Sequence, residues 1–252
     1  GNDLTVGFNN LNVKEDQILK ALDKDCFKGK YLIAVGKTEW ADLKWTDASI
    51  ATKKSTINSA DIVFTAADTV QDFEKSKAQL VEQNVNSLLL DCSDAHYFSN
   101  SDDKDRIGNS LTWLKADPTF EGLKQVIIEP EERIFIGDIP PILERITTNR
   151  TKYIQELSIT QVDEYDSRHG AWFKDISIPL NGELVAIIGN KGSGKSAIAD
   201  IIALCSNYPQ ETDFSFLTTD KFKKKKLAAS FNASMKWESG KVSPINLNDQ
   251  SA

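Results

Sequence analysis

Leu184–Leu204 reads LVAIIGNKGSGKSAIADIIAL, and this stretch decides the fold. A short apolar run enters a glycine-rich loop, and an apolar run of helical character leaves it. The loop, GNKGSGKS at Gly189–Ser196, fits the phosphate-binding pattern of Gly, four residues, then Gly-Lys-Ser/Thr without a mismatch. Glycines let the backbone turn tightly, so that successive N–H groups face phosphate oxygens. Lys195 is expected to reach the β- and γ-phosphates, and the Ser196 hydroxyl to ligate Mg²⁺. A helix starting at the loop adds the partial positive charge of its N-terminus. The pattern therefore predicts a site for ATP or GTP with Mg²⁺ over Gly189, Asn190, Lys191, Gly192, Ser193, Gly194, Lys195, Ser196 and Ala197. Leu184–Ile188 is expected as the strand before the loop and Ala197–Leu204 as the helix after it.

Outward from this centre, Tyr153–Gln161 and Ala171–Leu180 read as strands before the loop. Ala228–Trp237 and Val242–Leu247, separated by a Gly, suggest an antiparallel pair. The segment Glu129–Arg150 contains Pro130, Pro140 and Pro141 and reads as a connector with one short helix. Ahead of it the chain alternates helical and strand-like runs. Val13–Phe27 has helical spacing and Tyr31–Gly36 (YLIAVG) reads as a buried strand. A helix runs from about Asp47 to Ala60, followed by the strand Asp61–Ala66 and the helix Val70–Gln83. Ser87–Leu90 is a third strand, Leu111–Leu114 a candidate fourth, and Pro118 is placed to open a helix to Val126. Strands alternating with helices imply βαβ units and a mostly parallel sheet or barrel. The expected division is 1–130, a connector over 131–150, and 151–252.

The chain has 252 residues, enough for a full core, with 40% hydrophobic and 27% charged residues, ordinary for a globular protein. No apolar run approaches the roughly 20 residues that cross a bilayer. GNDLTVGFNN, at the start, has neither the basic opening nor the apolar middle of a secretory signal. Three cysteines, Cys26, Cys92 and Cys205, lie far apart with no CxxC pair, which favours reduced thiols and a cytoplasmic setting. A net charge of −7 argues against a wholly basic nucleic-acid binder but leaves room for a local basic patch. Lys221, Lys223, Lys224, Lys225 and Lys226, in KFKKKK, form such a patch. They read either as a solvated loop or as a contact to a nucleic-acid backbone.

Hydrolysis needs more than the loop. An acid ending an apolar strand completes the magnesium site, and a further group positions the attacking water. No apolar run closing on an acid follows Ser196, and SLLLD, ending at Asp91, precedes the loop. The chain is thus expected to hold the front half of a nucleotide site. Trp172 and Phe173 lie ahead of the loop and read either as a stacking platform for adenine or as core. His169 reads as a surface residue, and Trp40, Trp45 and Trp113 as packing residues.

FKDISIPLNGELVAIIGNKGSGKSAIADIIALC resembles the opening of ABC/SMC-type ATPase heads. More narrowly, GKTEWADLKW (Gly36–Trp45), LLLDCSDAHYF (Leu88–Phe98), TWLKADPTFEGLKQVIIEPEER (Thr112–Arg133) and PPILERITTNRTKYI (Pro140–Ile154) are similar to TrlF-type AAA-like ATPases. These are PHP-domain-associated proteins of DNA repair or phage defence. The resemblance implies an α/β chain: the later part of a PHP-like distorted β/α barrel, then the N-terminal lobe of an ABC/SMC-like P-loop ATPase with a mixed sheet. It implies a late PHP metal motif carried onto Asp94 and His96, with Mn²⁺ or Zn²⁺ as the metal. An Asp and a His two apart just past a strand end fit such ligands, although a loop Asp and a backbone-satisfied His fit the same residues. An active PHP site also needs several histidines including an early HxH pair, and only His96 and His169 are present. The implied partners are nucleotide, a second copy paired through the ATPase heads, and nucleic acid, with no membrane. A PHP-type phosphoesterase or nuclease regulated by nucleotide, and a non-catalytic interaction module, are the competing functions.

Overall fold

The structure is a computed structural model, which describes residues 13–36, 40, 44–46, 48–93, 95, 107–166 and 173–250. It is mixed α/β and divides into two compact units, Gly1–Pro140 and Pro141–Ala252.

In the first unit α1 (Glu15–Leu22) precedes β1 (Ala34–Val35), α2 (Ile50–Ser59), β2 (Ile62–Thr65), α3 (Val70–Glu82) and β3 (Leu89–Asp91). The strands pair in parallel in the order β1-β2-β3, with Val35 opposite Val63 and Val63 opposite Leu89. Parallel strands joined by helices bury both faces, and IVFT and LLD accordingly carry almost no exposed residue. The helices supply the cover: Ile57 from α2 and Phe73 and Leu80 from α3 are at most 1% exposed. Phe73 and Leu80 stand seven apart, two helical turns, so one stripe of α3 faces the sheet. Thr69 begins that helix, its hydroxyl accepting the Asp72 N–H at 3.2 Å. Trp40 is buried and donates Nε1–H to the Phe64 carbonyl at 2.7 Å.

Several expectations shift here. The first strand is confined to Ala34–Val35 rather than Tyr31–Gly36. The expected fourth strand, β4 (Thr112–Leu114), does not extend the parallel sheet but pairs antiparallel with β5 (Ile134–Ile136). Trp113 on it is 38% exposed rather than packed, with Nε1–H bonded to the Gly137 carbonyl. Among the described residues no sheet closes into a barrel. The helix expected from Pro118 is α4 (Phe120–Ile128), opened instead by Thr119, whose hydroxyl accepts the Gly122 N–H at 3.0 Å. The hydroxyl cap supplies an acceptor that a proline cannot. A short helix α5 (Pro130–Arg133) leads into β5.

In the second unit α6 (Pro141–Thr148) precedes β6 (Ile154–Gln161) and β7 (Ile176–Pro179). The glycine loop leads into α7 (Lys195–Cys205), and a 3₁₀ turn over Lys224–Ser230 leads into β8 (Phe231–Trp237) and β9 (Val242–Asn246). The four strands form one antiparallel sheet, order β7-β6-β8-β9. Period-two alternation assigns its faces: Leu157, Ile159, Phe231, Ala233 and Met235 are buried, while their neighbours carry hydroxyls and amides. On the polar face Ser158 donates to Glu156 at 2.7 Å, and this bond with one from Ser177 holds the Glu156 carboxyl below its usual range. α7 covers the apolar face through Ile201 and Leu204, spaced i, i+3. Each such aliphatic side chain contributes about 2 kcal/mol relative to an exposed one.

The expected strand Leu184–Ile188 is not one. These residues pair with no strand, and Leu184 and Ile188 are 94% and 90% exposed. A strand is held by its ladder, and the edge strand β7 ends at Pro179. The turn at Asn181–Glu183, closed by the Glu183 N–H donating to Asn181 Oδ1, then carries the chain away from that edge.

Candidate functional site

The loop Gly189–Gly194 is solvent-exposed over most of its length, and its backbone turns where the glycines stand. Gly192 has φ +86° and Gly194 φ +94°, left-handed values that a residue with a Cβ adopts only under strain. Gly194 caps α7, whose first closing bond runs from the Ile198 N–H to the Gly194 carbonyl at 3.0 Å. Within the loop the Ser193 N–H donates to the Asn190 carbonyl at 3.2 Å. The Gly189 Cα faces the Ser193 side chain so closely that a Cβ there would collide with Oγ.

Lys195, first residue of α7, folds back over the loop. Its Nζ donates to the carbonyls of Gly189 at 2.7 Å and Asn190 at 2.8 Å. The ammonium group therefore sits across the loop mouth, where it can face a bound anion while the third N–H is uncommitted by those two bonds. Ser196 lies exposed on the first turn of α7, and Ala197 after it is buried. The N-terminus of α7 and the Lys195 ammonium place positive potential at the loop.

The remaining expected residues fall elsewhere. Asp94, His96, His169 and Trp172 lie outside the described residues. Among the described residues no group of three or more His, Cys, Asp or Glu side chains is placed to hold a metal. Phe173 is no stacking platform. Its ring meets Phe216, Phe222 and Phe231 edge-on, with centroids 5.8–6.2 Å away. Burying an aromatic face in such a cluster outweighs leaving it free for a base. Asp91, the acid of SLLLD, is 3% exposed and committed to the first unit, accepting the N–H groups of Ala67 and Leu111 at 2.7 Å each.

Sequence reasoning missed Asp200. It lies on α7, is 7% exposed, and one oxygen, Oδ2, accepts three consecutive backbone N–H groups, from Ser215, Phe216 and Leu217 at 3.0, 2.6 and 3.0 Å. The signal was available: a carboxylate inside the apolar helix AIADIIAL requires donors, because burying it unpaired is prohibitively costly. The lysine run follows directly. Lys221 Nζ donates to the Ser215 carbonyl at 2.6 Å, Lys223 Nζ to the Asp249 carbonyl at 2.8 Å, and Phe222 between them is buried. Nothing is described of the Lys225 side chain.

Cys205 at the end of α7 is buried, and burial pushes its thiol up to about 11. Among the described residues no helix is long and apolar enough to cross a membrane. No protein-family model, curated protein or solved structure matches the chain.

Proposed function

We propose that the chain binds Mg·ATP through Gly189–Ala197. In this reading it belongs to an ABC/SMC-like ATPase head coupled to a PHP-like domain that acts on or senses nucleic acid. The observation that carries the nucleotide reading is the conformation of the loop. Two left-handed glycines, Gly192 and Gly194, deliver the chain into the N-terminus of α7 at Lys195. A glycine turn leading into a helix N-terminus is the kind of backbone that presents N–H groups to an anion, and the lysine and serine that follow suit a triphosphate with its magnesium.

Isothermal titration calorimetry of Mg·ATP against wild type and Lys195→Ala tests it. The expected result is saturable one-site binding that weakens at least tenfold in the variant, because a charge-assisted contact to the phosphates is lost. Equal affinity of the two proteins would overturn the reading. The wider assignment is tested by the same titration with a duplex oligonucleotide present, which should change the affinity for Mg·ATP if the head senses nucleic acid.

A further inference from the structure

The lysine run is not a loose loop. Its entry is fixed where Asp200 gathers the N–H groups of Ser215, Phe216 and Leu217, and Phe216 then stacks on Phe222 with centroids 4.4 Å apart. Phe222, inside the run, is 5% exposed. Lys221 and Lys223 each give one ammonium N–H to a backbone carbonyl, and the chain closes through a left-handed residue, Lys226, at φ +61°. Lys221, Lys224 and Lys226 stay exposed.

We propose that this segment is a nucleic-acid contact of fixed shape, in which Lys221, Lys224 and Lys226 bind the phosphate backbone of a duplex on the body that carries the P-loop. The inference rests on the reading of the chain as a nucleic-acid-sensing ATPase, and it names the contacting surface. Ordering a segment on binding costs conformational entropy, and a backbone anchored beforehand loses less of it. An ammonium held by one carbonyl keeps two N–H donors for phosphate oxygens.

The chemistry favours nucleic acid over an anionic membrane. Polybasic membrane anchors add apolar side chains that insert beside the headgroups. Here the aromatic of the run points into the core. With no outward aromatic in the run to stack on or read a base, the contact falls on phosphates and carries no sequence preference. Because the chain as a whole is negative, at −7, attraction depends on this local cluster and is sensitive to salt.

The experiment uses the full chain and a fluorescein-labelled duplex of about 20 base pairs, read by anisotropy, with a fluorescent ATP analogue titrated in parallel. Wild type should bind the duplex. Three phosphate contacts predict a loss of about 40-fold in affinity between about 50 and 200 mM salt. Replacing all three lysines together (Lys221→Gln, Lys224→Gln and Lys226→Gln) should cost at least tenfold for any duplex sequence and leave analogue binding unchanged. Asp200→Asn, which loosens the anchor, should weaken duplex binding several-fold. Undiminished duplex binding by the triple variant would overturn the proposal. So would wild-type binding to vesicles rich in phosphatidylserine with none to the duplex. The analogue titration judges the nucleotide site separately, so a failure there is not confused with a failure of the lysine contact.

Discussion

The Asp200 carboxylate accepts the Phe216 backbone N–H at 2.6 Å, the shortest of three such bonds to one oxygen. That contact joins the helix which begins at Lys195 to the segment which ends in the lysine run. It also makes a buried charge tolerable, since three N–H dipoles replace the water that Asp200 gives up.

Asp200→Ala should therefore be among the most damaging single substitutions in the second unit. It leaves three N–H groups without their acceptor, that of Leu217 buried and those of Ser215 and Phe216 partly so, at a cost of about 3 kcal/mol. Urea unfolding followed by tryptophan fluorescence measures this. A midpoint within error of wild type would show that water or a local rearrangement satisfies those donors.

Gly182→Ala tests the turn ahead of the loop. A Cβ at residue 182 would stand 2.5 Å from Ile146 Cδ1 and 3.3 Å from Tyr153 Cδ1. Overpacking of this kind costs about 1–3 kcal/mol. The obstacle is mainly the far end of one flexible side chain, so adding Ile146→Ala should recover part of the loss. A double-mutant cycle with no coupling between the two sites would refute the contact.

Gly122→Ala runs against propensity. In an ordinary helix alanine is favoured over glycine by about 1 kcal/mol. On α4 the new Cβ would collide with the backbone carbonyl of Asp117, which cannot move without disturbing the Thr119 cap. The net effect should be destabilisation of roughly 2 kcal/mol. A stabilised variant in thermal unfolding would count against the close approach.

Cys205 gives a pH dependence of defined sign. Its thiol is raised from 9.0 in the unfolded reference to about 11 in the fold by burial. The folded state holds this proton more tightly, so the contribution is fully present below about pH 9. It is lost as pH climbs towards 11. The stability of wild type should fall more steeply than that of Cys205→Ala over this window, measured by urea unfolding at stepped pH. At neutral pH a thiol reagent should label the exposed Cys26 quickly and Cys205 only on unfolding. Equal labelling rates would contradict the burial.

Turnover is a separate matter from binding. Phosphoryl transfer depends on a second magnesium ligand and a group that orients water, and no apolar run closing on an acid follows Ser196 in the sequence. Residues 1–252 alone should bind Mg·ATP without appreciable phosphate release. Steady magnesium-dependent release that disappears in Lys195→Ala would reveal a catalytic acid elsewhere in the chain.

The sequence by itself determined what short-range chemistry controls. Gly189–Ser196 states its loop conformation locally, because only glycine takes the backbone angles found at Gly192 and Gly194 without strain. The antiparallel pair β8–β9 was legible because period-two alternation flanks a glycine turn, and α3 because of its helical apolar spacing. Tertiary structure alone decided the rest. Leu184–Ile188 has the composition of a buried strand, yet a strand exists only where another strand offers a ladder, and composition cannot name that partner. Phe173 could equally face a base or a core until Phe216, Phe222 and Phe231, distant in sequence, closed around it. Asp200 acquired its role only when a segment fifteen residues further on, at Ser215, turned its N–H groups inward. Pairing, burial and charge compensation are relations between residues far apart in the chain, and the folded backbone is what brings them within reach.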